Sequence, residues 1–140
     1  MSSPLKSTAG AEVSYDEGES GDLTITLQDT SGTTIDASTV GTLTFTLFDQ
    51  HSGIILNSRN DVSIKTTAGS TSHSNGGTVS TAGIVTMRLD AADNAIQSTN
   101  RSRETHIARV KFTWSDGQTT RTGITDKAFT VANLVTPTTA

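Results

Sequence analysis

The chain has 140 residues, 32% hydrophobic and 4% aromatic, with a net charge of −4. One domain is the prior at this length, and the acidic balance gives no general reason to bind nucleic acid. There is no cysteine, so disulfides and thiolate metal sites are excluded.

No apolar run approaches the roughly 20 residues that span a bilayer, and residues 1–20 hold no apolar stretch of the secretory type. The expectation is a soluble product of the cytoplasm, with no membrane partner. The 27 Thr and 17 Ser suit pleated, half-solvated surfaces, because Thr is β-branched. Residues 1–70 carry nine acids and three bases, whereas residues 71–140 carry five and seven. That unevenness fits ordered contacts with a partner or with copies of the chain, and equally fits chance variation on a solvated surface.

Residues 1–20 read as a polar, acidic arm. Asp16, Glu17 and Glu19 cluster around Tyr15, with too little apolar area to fold alone. Val13 and Tyr15 alternate, which allows a short extra strand. The domain proper is expected over residues 21–134. Leu23, Ile25 and Leu27 share one strand face, and the turn Asp29-Thr-Ser-Gly32 follows. Ile35 plugs a polar stretch. The next strand, Thr42 to Phe48, points Leu43, Phe45 and Leu47 inward. Phe48 breaks the alternation and suits an edge or a contact surface. After the Asp49-Gln-His-Ser-Gly53 turn, residues 53–57 read as a return strand, and Val62 with Ile64 as another.

Residues 66–83 form a long low-complexity loop containing His73 and a hairpin-type Asn75-Gly76. A mobile tip and a binding loop both fit it, and the Asn75-Gly76 turn allows part of it to be a β-arm. Ile84 to Leu89 is a strand, and Asp90 caps one helical turn. The longest strand carries His106, Ala108, Val110, Phe112 and Trp114 on one face, with Arg109 and Lys111 projecting outward. After Asp116-Gly117 a final strand leads to Phe129 and Val131, and residues 135–140 form an extended tail. The spacing gives an all-β class: an antiparallel β-sandwich of about seven or eight strands with one short helical turn.

Chemistry is sparse. His51, His73 and His106 form no ligand pattern. Glu104 and His106 lie on one strand face and suit a strand-end salt bridge better than catalysis. No nucleophile elbow or P-loop occurs. Asp90, Asp93 and Asn94 lack the spacing of a calcium loop, and helix capping explains them. The expectation is therefore no enzyme, no cofactor and no metal. Arg109 and Lys111 have no interleaved aromatics, which argues against a nucleic-acid platform. They suit carboxylates on a neighbouring subunit.

These residues carry a resemblance. A first strand ends in Asp-x-x-Gly. Then come Leu43-Thr-Phe-Thr-Leu-Phe-Asp49, an Asp-Ala-Ala-Asp segment, Phe112-Thr-Trp-Ser-Asp-Gly117 and Ala128-Phe-Thr-Val131. Over roughly residues 21–134 this layout resembles the small immunoglobulin-like virion proteins of tailed bacteriophages. Trp114 departs from antibody-type domains in having no cysteine partner. The resemblance implies an immunoglobulin-like sandwich and a virion location. Within the family it implies a capsid decoration (cement) protein that contacts the major capsid protein or other virion proteins, as a homo-oligomer. Expected contact residues are Tyr15, Asp16, Glu17, Glu19, Phe48, His73, Asn75, Arg109 and Lys111. Two other readings stand beside it: a neck or baseplate adaptor, and a carbohydrate-binding β-sandwich.

Overall fold

The alternating runs become strands in the computed structural model, which describes residues 13–65, 75–97 and 102–133. The strands are β1 (Val13–Asp16), β2 (Gly21–Thr26), β3 (Val40–Asp49), β4 (Val62–Lys65), β5 (Gly77–Val79), β6 (Ile84–Leu89), β7 (Arg103–Ser115) and β8 (Thr120–Ala132). They form two sheets, ordered β1-β8-β7-β3-β4 and β2-β6-β5. All ladders are antiparallel except β1 on β8. In immunoglobulin terms β8-β7-β3-β4 follows the order G-F-C-C′ and β2-β6-β5 the order B-E-D. Apart from the strands, the described residues hold two short 3-10 turns, Ala37–Thr39 and Ala91–Asn94. Neither is long and apolar enough to cross a membrane.

The core lies between the sheets. Leu23, Ile25, Val85, Met87 and Leu89 come from one sheet; Leu43, Phe45, Leu47, Val110, Phe112, Phe129 and Val131 come from the other. In a true immunoglobulin domain a disulfide joins the sheets at this level. Here close-packed apolar side chains take that place, so core burial carries most of the stability. The three Asp/Gly turns behave as their residues require. Asp29 Oδ1 accepts from Ser31 N and Thr33 N at 2.9 and 3.0 Å. Asp49 Oδ2 accepts from Ser52 N at 2.9 Å. Asp116 Oδ1 accepts from Gln118 N and Thr119 N at 2.9 and 2.8 Å. A less obvious glycine is Gly83, at φ 78°. A Cβ there would stand 2.2 Å from the Ile35 carbonyl oxygen, because the two loops touch backbone to backbone.

Several expectations are corrected. Within residues 1–20, Val13–Asp16 form the short extra strand that the alternation allows, and it is docked rather than loose: β1 adds to the edge of the five-stranded sheet, with Val13 opposite Phe129 and Tyr15 opposite Val131. Alternation here outweighs the acidic composition. The stretch 53–57 forms a single bridge, Phe48 with Ile55, rather than a strand. Consecutive left-handed residues at Asn57 and Ser58 bend the chain away. Within the long loop, Gly77–Val79 is a strand paired with β6. Its Gly77 contributes by absence of bulk, since a Cβ would sit 2.7 Å from Met87 Sδ. Trp114 is only partly buried, because it lies where the long strand runs past the end of the core. The expectations for residues 1–12, 66–74 and 135–140 lie outside the described residues.

A polar lock joins the long β3–β4 connection to the turn after β6. The Asp93 carboxylate is fully buried. It accepts from Arg59 Nε and Nη2 at 2.8 and 2.9 Å, and from Asn57 Nδ2 at 2.9 Å. Asp90 N donates to it at 2.6 Å, which closes the 3-10 cap. Arg59 Nη1 also donates to the Asn75 carbonyl at 2.9 Å.

Candidate functional site

The outer face of the five-stranded sheet gathers three of the residues singled out from the sequence. Strand register sets Phe48, Ile107 and Ala128 in one row; Thr46, Arg109 and Asp126 in the next; Thr44, Lys111 and Ile124 in a third. The bridge to Phe48 places Ile55 beside the first row. Ile124 is 58% exposed and Ile55 37%. Phe48, Ile55, Arg109, Lys111 and Ile124 line a shallow groove of about 500 Å³.

The charges on this face are already paired within the chain. Arg109 makes a two-pronged contact with Asp126, Nε to Oδ1 at 2.8 Å and Nη2 to Oδ2 at 2.9 Å. Its guanidinium lies 5.1 Å from the Phe48 ring centre, within cation–π range. The Asp126 hydrogen bond holds the Arg109 pKa above its ordinary value. Lys111 Nζ lies 3.2 Å from Asp61 Oδ1. Asp61 is steadied by its own backbone N–H, which donates to Thr46 Oγ1 at 2.9 Å. The expected meeting of Arg109 and Lys111 with carboxylates thus takes place inside the subunit. The result is a neutral face: two exposed isoleucines around an aromatic ring, rimmed by oriented ion pairs. Such a face favours protein contact, where buried centres are apolar and Arg and aromatics are enriched.

The other candidate residues lie elsewhere. Tyr15 is 8% exposed and packs edge-on against Phe129 at 5.6 Å. Its hydroxyl donates to the Asp22 carbonyl at 2.8 Å, and burial, then the charges of Asp22 and Glu19, raises its pKa. It is therefore a core residue and not a contact residue. Asp16 and Glu19 are exposed at the β1–β2 turn, where Glu19 Oε1 accepts from Asp16 N at 2.9 Å, and Glu17 is half-buried. Asn75 is exposed and its Nδ2 donates to the Ser63 carbonyl, so it serves the turn. His73 lies outside the described residues.

One cluster is half visible in the sequence: the spacing pairs Glu104 with His106 and leaves out Asp49. Glu104 and His106 do pair at the start of β7, Oε1 to Nε2 at 3.0 Å, and both are sealed in the interior. Asp49 stands opposite His106 in the β3–β7 register and is buried too. The three offer ligand atoms within 4.8 Å of one another, a donor set a divalent cation accepts. Those carboxylates already hold the backbone: Glu104 takes Gln97 N on both oxygens at 2.8 and 3.0 Å, and Asp49 takes Ser52 N at 2.9 Å. The arrangement clamps the Asp49 turn and residue 97 to the long strand. The signal was the even spacing of Glu104, His106 and Ala108 on the inward face.

No family model, curated protein or solved structure matches this chain.

Proposed function

We propose that this chain is a structural protein of a tailed-bacteriophage virion, a decoration (cement) protein that binds the outer surface of the head and stabilises it, and not an enzyme. The observation that carries the reading is the neutral, partly apolar outer face around Phe48, Ile55 and Ile124. A capsid offers broad protein surfaces at its subunit joints, and this face has the composition to cover one. The immunoglobulin-like strand order is in keeping with the family that the sequence resembles. Among the described residues, the catalytically suggestive pair Glu104 with His106 is closed to solvent, which supports a structural role. The partner is the major capsid protein or another virion protein. Symmetric self-association would multiply weak contacts into firm attachment. The test is imaging of intact particles. The reading expects symmetry-related copies spread over the head; a ring of about a dozen copies or fewer at a vertex or tail would assign the chain to the neck or baseplate instead.

A further inference from the structure

Two of the Asp/Gly turns meet at one end of the sandwich. Asp29 to Gly32 lies between β2 and β3, and Asp116-Gly117 joins β7 to β8. In the immunoglobulin order these are the B–C and F–G connections, which share an end. Between them opens a cleft of about 530 Å³, lined by Asp29, Ser31, Trp114, Asp116, Arg121 and Thr122 among others. That volume falls within the range of about 300–1,000 Å³ typical of small-molecule sites.

Trp114 is the only tryptophan in the chain. Phe112 braces it, with ring centres 5.5 Å apart, and the indole contributes to the cleft wall. The charged groups around it are held still. Asp29 is fixed by Ser31 and Thr33, with Ser31 Oγ donating at 2.8 Å. Asp116 is fixed by Gln118 and Thr119. Arg121 Nε donates to Asp116 Oδ2 at 2.5 Å and also feels the charge of Asp29. Both carboxylates have pKa values below the ordinary range, Asp29 chiefly from the Ser31 hydroxyl and Asp116 chiefly from the Thr119 amide.

The ligand class follows from these groups. Two carboxylates against one guanidinium leave the cleft net negative, which disfavours phosphates, acidic glycans and acidic peptides. An aromatic face attracts a flat surface of weakly positive C–H groups. Pre-oriented carboxylates accept from hydroxyls and the guanidinium donates to them. A pyranose ring presents both: C–H groups on its faces and hydroxyls around its rim. We infer that Trp114, Asp29, Asp116 and Arg121 form a binding site for a neutral saccharide. The site is independent of the sheet face assigned to the capsid, so either can fail without the other.

The test is an NMR titration of the isotope-labelled full chain with lactose, maltotriose, cellotriose and diacetylchitobiose. Each would be raised to about 20 mM, enough to register a Kd of about 1 mM. At least one sugar should shift the Trp114 indole resonance and the amides of residues 29–31 and 117–119, saturably. Asp29→Asn and Trp114→Phe keep the turn and the aromatic packing, so they serve as variants that fold. Asp29→Asn and Trp114→Phe should each weaken binding a few-fold, and Trp114→Ala and Arg121→Gln about tenfold or more. The inference is overturned if no sugar moves these resonances, or if the shifts fall on the Phe48 face. It is equally overturned if a sialylated or phosphorylated sugar binds more tightly than its neutral parent, or if protein concentration alone shifts the same resonances, which would make a second copy the occupant.

Discussion

Replacing Asp93 with alanine should destabilise the domain more than any surface change, because four donors converge on one carboxylate. Arg59 supplies two, Asn57 one and the Asp90 backbone one, all between 2.6 and 2.9 Å. The variant leaves the Arg59 guanidinium, whose side chain is 12% exposed, without its main counter-charge. Breaking a buried pair from one side costs about 3–5 kcal/mol. The lower end applies, since Arg59 keeps the Asn75 carbonyl and lies 3.6 Å from Asp90. About 3 kcal/mol corresponds to a drop in Tm of roughly 10–15 °C for a domain of this size. Arg59→Met should cost a similar amount by orphaning the carboxylate. The double variant Arg59→Met with Asp93→Ala should cost clearly less than the sum, because neither charge is then stranded. Urea denaturation with an unchanged m-value reads this out. Single-variant losses below about 1 kcal/mol, or strict additivity, would refute the lock.

Other outcomes follow from the same coordinates. Gly83→Ala should cost several times more than Gly32→Ala. Both have positive φ, but a Cβ at Gly83 meets the Ile35 backbone whereas at Gly32 it meets nothing within 4 Å; the expected costs are about 3 and about 1 kcal/mol by thermal melts. Trp114→Ala should cost about 1–2 kcal/mol, short of the figure for a fully buried aromatic, since the indole is half-solvated. Asp116 has a folded pKa depressed below 3.8, first by the Thr119 amide and then by Arg121. Its stabilising effect is therefore full above the unfolded value and fades as pH falls towards the folded one. The stability gap between the native chain and Asp116→Asn should be flat above about pH 5 and shrink below about pH 4; a gap that grows on acidification would contradict this.

How much of this was legible depended on range. Strand faces were, because alternation is local: Leu43, Phe45 and Leu47 point inward in the sequence pattern and in the core. The outward position of Arg109 and Lys111 followed from the same period. Tyr15 misled because its acidic neighbours suggested solvent, whereas its spacing from Val13 was the stronger signal. Strand β5 was legible only as a β-arm that the Asn75-Gly76 turn allows, since Gly-Thr-Val has one apolar side chain and its place depends on Met87 and Ile64 lying close to Gly77. The Arg59–Asp93 lock and the meeting of Asp49 with His106 join residues 34 and 57 positions apart; no local pattern encodes such pairs. The cleft beside Trp114 likewise needs the first and last Asp/Gly turns brought to one end.

The central claim, that the outer face of the five-stranded sheet docks on the head, is tested most directly by loading purified protein onto heads that lack it. Ile124→Asp places a charge in the middle of that face, while Ile84→Asp, at a residue 39% exposed on the other sheet, is the matched control. Occupancy should fall about tenfold or more for Ile124→Asp and stay native for Ile84→Asp. Equal loading of the two variants would contradict the assignment.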